Sequence, residues 1–241
     1  NECNLKMCKE QGILPIFDML SKDGDIEEQM IINNRKAAGF ANANLYQPME
    51  EHFIKTLSMI LTENMDGGGG EYRVSDLVEI PSMAGEKYEL PKAVAIPDRM
   101  REFTVFLSDP GIHPLIKAGA TQGFLLACRP FGEGDERLAR LLSSMILHRA
   151  GYTFFGEVSL SSLLAKNGYP YYDAVANILK QENGGDLTYF LEYYLRLISQ
   201  AVDVRRKRVE EQVMITIDSE QAMAKEVLGP SINDEDLDGF I

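Results

Sequence analysis

Arg129-Pro130-Phe131-Gly132-Glu133-Gly134-Asp135-Glu136-Arg137-Leu138-Ala139-Arg140 brings small, charged and apolar residues together in one device, a loop feeding a helix. Pro130 pushes Arg129 out of the helical region, and Gly132 and Gly134 permit a tight turn. The spacing predicts a helix from about Asp135, because Leu138, Leu141, Leu142, Met145 and Ile146 recur at intervals of three and four. Such a helix turns its free N–H groups back towards the glycine loop, a general site for an anion. The local charge opposes a polyanion, since Glu133, Asp135 and Glu136 stand against Arg137. One carboxylate about 4 Å from a phosphate oxygen costs about 4 kcal/mol at an effective dielectric constant of about 20, roughly a thousandfold in affinity. The same acids have a structural use. Asp135 suits an N-cap, Glu136 suits the first turn, and Glu133 with Arg137 and Glu136 with Arg140 stand at i,i+4 spacing.

A chain of 241 residues, 45% hydrophobic, can bury one substantial core. Its formal charge of −13 argues against nucleic acid and anionic membrane surfaces as partners. No apolar run approaches the ~20 residues of a membrane span. Cys3, Cys8 and Cys128 are odd in number and too few for a disulfide framework, which fits a reducing cytoplasm. Cys128 ends an apolar run and reads as a buried structural thiol. No signal-peptide pattern opens the chain; it begins at Asn1, which leaves a preceding segment open. His52, His113 and His148 lie away from the loop, and no His or Cys spacing suits a metal.

Along the chain, a short helix is expected before residue 30. An alanine-rich helix from about Glu27 to Tyr46 ends before Pro48, and another carries Phe53, Leu57, Ile60 and Leu61 on one face. After the Gly67–Gly70 tract, Val78-Glu79-Ile80 and Lys87-Tyr88-Glu89 flank a glycine-bearing loop and read as a β-hairpin. Pro97 to Leu107 is an amphipathic helix with Met100, Phe103, Val105 and Phe106 apolar. Leu115 to Cys128 carries Ile116, Gly119, Ala120, Gly123 and Ala127 as a small-residue stripe, the mark of a central helix. Ser159 to Leu164, Tyr171-Tyr172, and a run with Leu187, Phe190, Leu191, Tyr194, Leu195, Ile198 and Val202 on one face are expected to close the bundle. Arg205-Arg206-Lys207-Arg208 before Glu210-Glu211 reads as a solvated helical face, and the acidic tail from Ile232 as a mobile segment or partner contact.

The loop resembles the signature of the Fic (Fido) family, His-Pro-Phe-x-Asp/Glu-Gly-Asn-Gly-Arg-x-x-Arg. Pro130, Phe131, Glu133, Gly134, Arg137 and Arg140 match; Arg129 stands at the histidine, and Asp135-Glu136 replace Asn-Gly. The resemblance implies a mainly helical, all-α bundle with a small β-hairpin flap. Its core spans 65–202, with N-terminal helices over 1–64 and a C-terminal helix and acidic tail over 203–241. It also implies transfer of AMP from ATP to a protein hydroxyl. Glu133 would be the magnesium ligand, and Gly134, Asp135, Glu136, Arg137 and Arg140 would line the phosphate site. Val78, Glu79, Ile80 and Tyr88 would form a flap that holds the target as an added strand. Tyr171 and Tyr172 fall in the region that lies near the nucleotide base in the family. Arg129 cannot serve as the base, because a guanidinium stays protonated at any working pH. The inhibitory pattern of some members, Ser/Thr-x-x-x-Glu-Gly/Asn, finds no full match: Glu63-Asn64 has Met59 at the required position, and Ser75 with Glu79 lacks the small residue.

The leading expectation is an impaired transferase site serving as a protein-binding or regulatory module. The alternative is an active nucleotidyl transferase or phosphoester hydrolase in which Asp135 or Glu136 supplies the base, with ATP and magnesium as cofactors. A plain nucleotide-binding module is a third reading, requiring the three acids to turn away from the phosphates. The target and the oligomeric state stay open.

Overall fold

The computed structural model describes residues 24–65, 69–76, 80–81, 87–88, 90–152, 168–180 and 184–228. The expected helix before residue 24, the Ser159–Leu164 run and the acidic tail lie outside them. The chain divides into two compact units, the first ending at Ile198 and the second beginning at Ser199.

In the first unit, helix α1 (Gly24–Ala43) packs on α2 (Glu51–Leu61). The apolar positions of α2 bury Phe53, Ile54, Leu57 and Leu61 on one face, as their spacing dictates. Strands β1 (Ile80–Pro81) and β2 (Lys87–Tyr88) form a two-residue antiparallel ladder pairing Ile80 with Tyr88 and Pro81 with Lys87. A 3-10 turn at Ala93–Ala95 leads into α3 (Ile96–Ser108), which buries Ile96, Met100, Phe103 and Leu107. Val105, expected on the apolar face, is exposed; it lies two residues, about 200°, round the helix from Phe103.

Helix α4 (Pro114–Cys128) and the following α5 (Asp135–Arg149) make the most extensive helix pair, and α6 (Gly168–Leu179) packs on α4 from another side. Helix α7 (Thr188–Leu228) begins in this unit and presents Phe190, Tyr194, Leu197 and Ile198 to the core. The small-residue stripe makes α4 central. A Cβ on Gly119 would stand 2.8 Å from Cδ1 of Tyr194, and one on Gly123 2.9 Å from Cδ1 of Phe190. Glycines four apart on α4 thus receive aromatic rings four apart on α7. Gly119→Val is expected to cost about 1–3 kcal/mol through overpacking, lowering the midpoint of thermal unfolding by several degrees. An unchanged midpoint would show that the rings move aside freely.

The apolar face expected to continue to Val202 ends sooner, because Val202 is 45% exposed while Leu197 takes an inward place. From Ser199 onward, α7 forms the described part of the second unit as a largely exposed helix, where Arg206 meets Glu210 at 3.7 Å as the i,i+4 spacing anticipates.

Candidate functional site

The loop begins where α4 stops. Arg129 adopts a left-handed conformation (φ 44°, ψ 61°), its N–H still bonded to Leu125 O, so the chain leaves the helix sharply. Gly132 (φ 85°) and Gly134 (φ 76°) occupy the same left-handed region, where glycine carries no penalty. Helix α5 starts at Asp135 as its spacing predicts, but the cap differs from expectation. Gly134 is the N-cap and Asp135 the first helical residue.

Asp135 points backwards into the loop. Its Oδ2 accepts from the N–H of Gly132 at 2.7 Å and of Phe131 at 3.2 Å, with Oδ1 3.3 Å from the same Phe131 nitrogen. The residue is 1% exposed. Burial pushes its carboxyl from 3.8 up to about 7, against the opposing pull of Arg129, the Gly132 and Phe131 amides and Arg73. A carboxylate from the chain itself therefore occupies two of the loop's amides.

The arginines of the signature do not converge on those amides. Arg137 is buried, and its Nη1 donates to Leu61 O at 2.8 Å, at the last turn of α2, while Nη2 lies 3.6 Å from Met65 Sδ. Burial and then the neighbouring Arg140 lower its pKa to about 10, so it stays charged at neutral pH. The i,i+4 pair expected between Glu133 and Arg137 does not form, because Glu133 is exposed to solvent and Arg137 faces the end of α2. Arg140 does meet Glu136, at 4.0 Å. Arg129 donates from Nη2 to Gly132 O at 3.2 Å and braces the loop across its own turn.

Two supports carried no sequence signal. Arg73 clamps the loop from the segment after the glycine tract. Its Nε donates to Arg129 O at 2.8 Å, its Nη2 to Pro91 O and to Cys128 O at 3.4 Å, and its own N–H to Pro130 O at 2.9 Å. Beside it, Tyr72 packs on Phe131 with ring centroids 5.4 Å apart, under Lys55 Nζ at 4.4 Å. The second support is the end of α2. Leu61 O receives Arg137 and, at 3.3 Å, Asn33 Nδ2; a Cβ on Gly134 would fall 2.9 Å from Thr62 Cγ2. The helix that carries Met59 and Glu63-Asn64 at its C-terminal end is thus seated on the loop.

Cys128 is buried beneath the loop, and desolvation raises its thiol to about 12, the inert thiol anticipated. Tyr171 is also buried, 6.3 Å from the Tyr193 ring, as a core residue. His113 caps α4 by accepting from Leu115 N at 3.3 Å, while His52 and His148 are exposed. Among the described residues no group of three or more His, Cys, Asp or Glu gathers to hold a metal ion. Val78 and Glu79 lie outside the described residues. Ile80 and Tyr88 pair with each other in the ladder.

Arg137→Met is expected to destabilise the protein by about 2–3 kcal/mol, because it keeps apolar bulk but removes a charged donor from a buried carbonyl. Chemical unfolding measures this. A loss below about 0.5 kcal/mol, the level of an ordinary surface substitution, would show that Leu61 O is satisfied without Arg137.

The described residues form a helical bundle in which α4 breaks through a Pro-Phe-Gly-Glu-Gly loop into α5, and this fold is shared with solved structures of Fic proteins. No family model matches the sequence. A protein adenylyltransferase Fic of Nematostella vectensis is 26% identical over 185 residues, covering 74% of this chain and 40% of that protein. The crystal structure of a Fic family protein from Desulfovibrio desulfuricans G20 superposes with a TM-score of 0.65 at 20% identity, over 84% of this chain and 63% of that one. A Fic domain containing signaling protein from Bacteroides thetaiotaomicron VPI-5482 gives 0.59 at 19% identity, over 82% and 80%. The chain has the Fic fold and is similar in sequence to a protein adenylyltransferase, of whose length it spans about two fifths.

Proposed function

We propose that this Fic domain is impaired in AMP transfer and works as a protein-binding or regulatory module. The observation that carries this is the Asp135 carboxylate seated on the Phe131 and Gly132 amides. An ATP phosphate would have to displace it and then meet Glu133 and Glu136. Arg137 gives no help there, being turned to Leu61 O, and Arg129 cannot accept a proton. The residues therefore do not fit ATP and magnesium with the loop folded in this way. Exposed Glu133 is the acid best placed to reach a metal, but among the described residues it belongs to no group of three or more His, Cys, Asp or Glu that could hold one. The protein partner is expected to add a strand to the ladder around Ile80 and Tyr88, with Val78 and Glu79 as the neighbouring flap residues.

Calorimetric titration with ATP and magnesium at pH 8 tests this, run on the natural chain and on Arg129→His, Asp135→Asn, Glu136→Gly. Silence from the natural chain with binding by the variant supports the reading; micromolar binding by the natural chain overturns it. A second reading takes Asp135, its carboxyl raised by burial to about 7, as a general base; it requires the loop to open, because the side chain is 1% exposed and both oxygens face loop amides. It requires ATP-dependent labelling or hydrolysis by the natural chain that disappears in Asp135→Asn. Activity unchanged in that variant would exclude Asp135 as the base.

A further inference from the structure

From Ser199 onward, α7 leaves apolar side chains in solvent. Val209 is 40% exposed and Val213 50%, with Val202 on the same face and Ile217 half-buried. At 100° per residue, Val202, Arg206, Val209, Val213, Ile217 and Glu220 fall within one stripe about 80° wide. Its pattern is nearly symmetric about Val213. Apolar residues stand four positions to either side, and seven positions to either side stand opposite charges, Arg206 and Glu220.

We infer that this face pairs with the same face of a second copy of the chain, the two helices antiparallel about Val213. A two-fold interface places residue i on j and j on i. Here Val213 meets Val213, Val209 meets Ile217 twice, and Arg206 meets Glu220 twice. A parallel pair would set Arg206 on Arg206 and Glu220 on Glu220, so the charges select the antiparallel arrangement. Within one chain Arg206 reaches Asp203 and Glu210 only at 3.7 Å in exposed pairs, which hold it weakly. A partner of unrelated sequence has no reason to match a stripe whose two halves complement each other. The pairing is independent of whether the loop binds ATP.

Sedimentation velocity on the full chain in reducing buffer, across the micromolar range, tests this against three variants. The natural protein is expected to pass from the mass of one chain to that of two as concentration rises. Arg206→Glu alone and Glu220→Arg alone each create two like-charge contacts and weaken association about tenfold or more. Mixing those two variants in equal amounts restores opposite charges at both contacts and returns the two-chain mass. Val213→Asp abolishes it. Circular dichroism checks that helix content is unchanged, and both charge variants sit on exposed positions. A natural protein that stays at one-chain mass, single variants that dimerise as the natural chain does, or a mixture that stays dissociated would each overturn the inference.

Discussion

The Arg129→His, Asp135→Asn, Glu136→Gly variant is expected to bind ATP and magnesium about a thousandfold more tightly than the natural chain. Two effects contribute. Asn at position 135 removes an ionised group from the Phe131 and Gly132 amides, which the natural carboxylate holds at 3.2 and 2.7 Å. Removing one carboxylate from about 4 Å of a phosphate oxygen is worth about 4 kcal/mol at an effective dielectric constant of about 20, which sets the scale of the gain. Loss of Glu136 also frees Arg140, now 4.0 Å from that acid. The single change Arg129→His is expected to leave affinity nearly unchanged, because Arg129 braces the loop through Gly132 O without touching the amides that Asp135 fills. Equal affinity of the natural and triple-variant proteins would mean that Asp135 is not the obstacle.

Sequence periodicity disclosed the elements whose packing is local or repeats along one helix. The glycines of α4 predicted close approach, and the aromatic rings of α7 lie against them. Leu138 to Ile146 predicted where α5 begins and which face it buries. The signature residues were legible as types, but their directions were not. Arg137 finds its acceptor 76 positions away at Leu61, and Arg73 reaches carbonyls 55 and 56 positions away. Backbone carbonyls carry no sequence mark, so an arginine that caps a distant helix reads the same as one waiting for phosphate. Asp135 suits an N-cap by residue type, yet the backbone gives that place to Gly134. The left-handed φ of Gly134 moves the helix start by one residue and turns the carboxylate towards the preceding loop.

That reversed carboxylate also gives the protein a defined pH response. The Asp135 carboxyl is raised from 3.8 to about 7 on folding, because desolvation outweighs Arg129, the two amides and Arg73. Between those values the folded protein keeps a proton that the unfolded chain has released. Stability therefore falls as pH rises from about 4 to about 7, and the contribution levels off above 7, where both states are ionised. A displacement of that size corresponds to about 4 kcal/mol in total. The other acids of this chain titrate too, so the informative quantity is the difference between the natural protein and Asp135→Asn. The amide cannot ionise but keeps one oxygen to accept from the Gly132 N–H. Urea unfolding from acid to mildly alkaline pH is expected to give curves that converge at low pH and separate towards pH 8, with the Asn variant more stable there. Parallel curves would mean that the loop amides and Arg129 hold Asp135 ionised at its ordinary value. The plug would then be an anion above about pH 4, its ionisation leaving folding stability unchanged with pH while it opposes phosphate at every working pH.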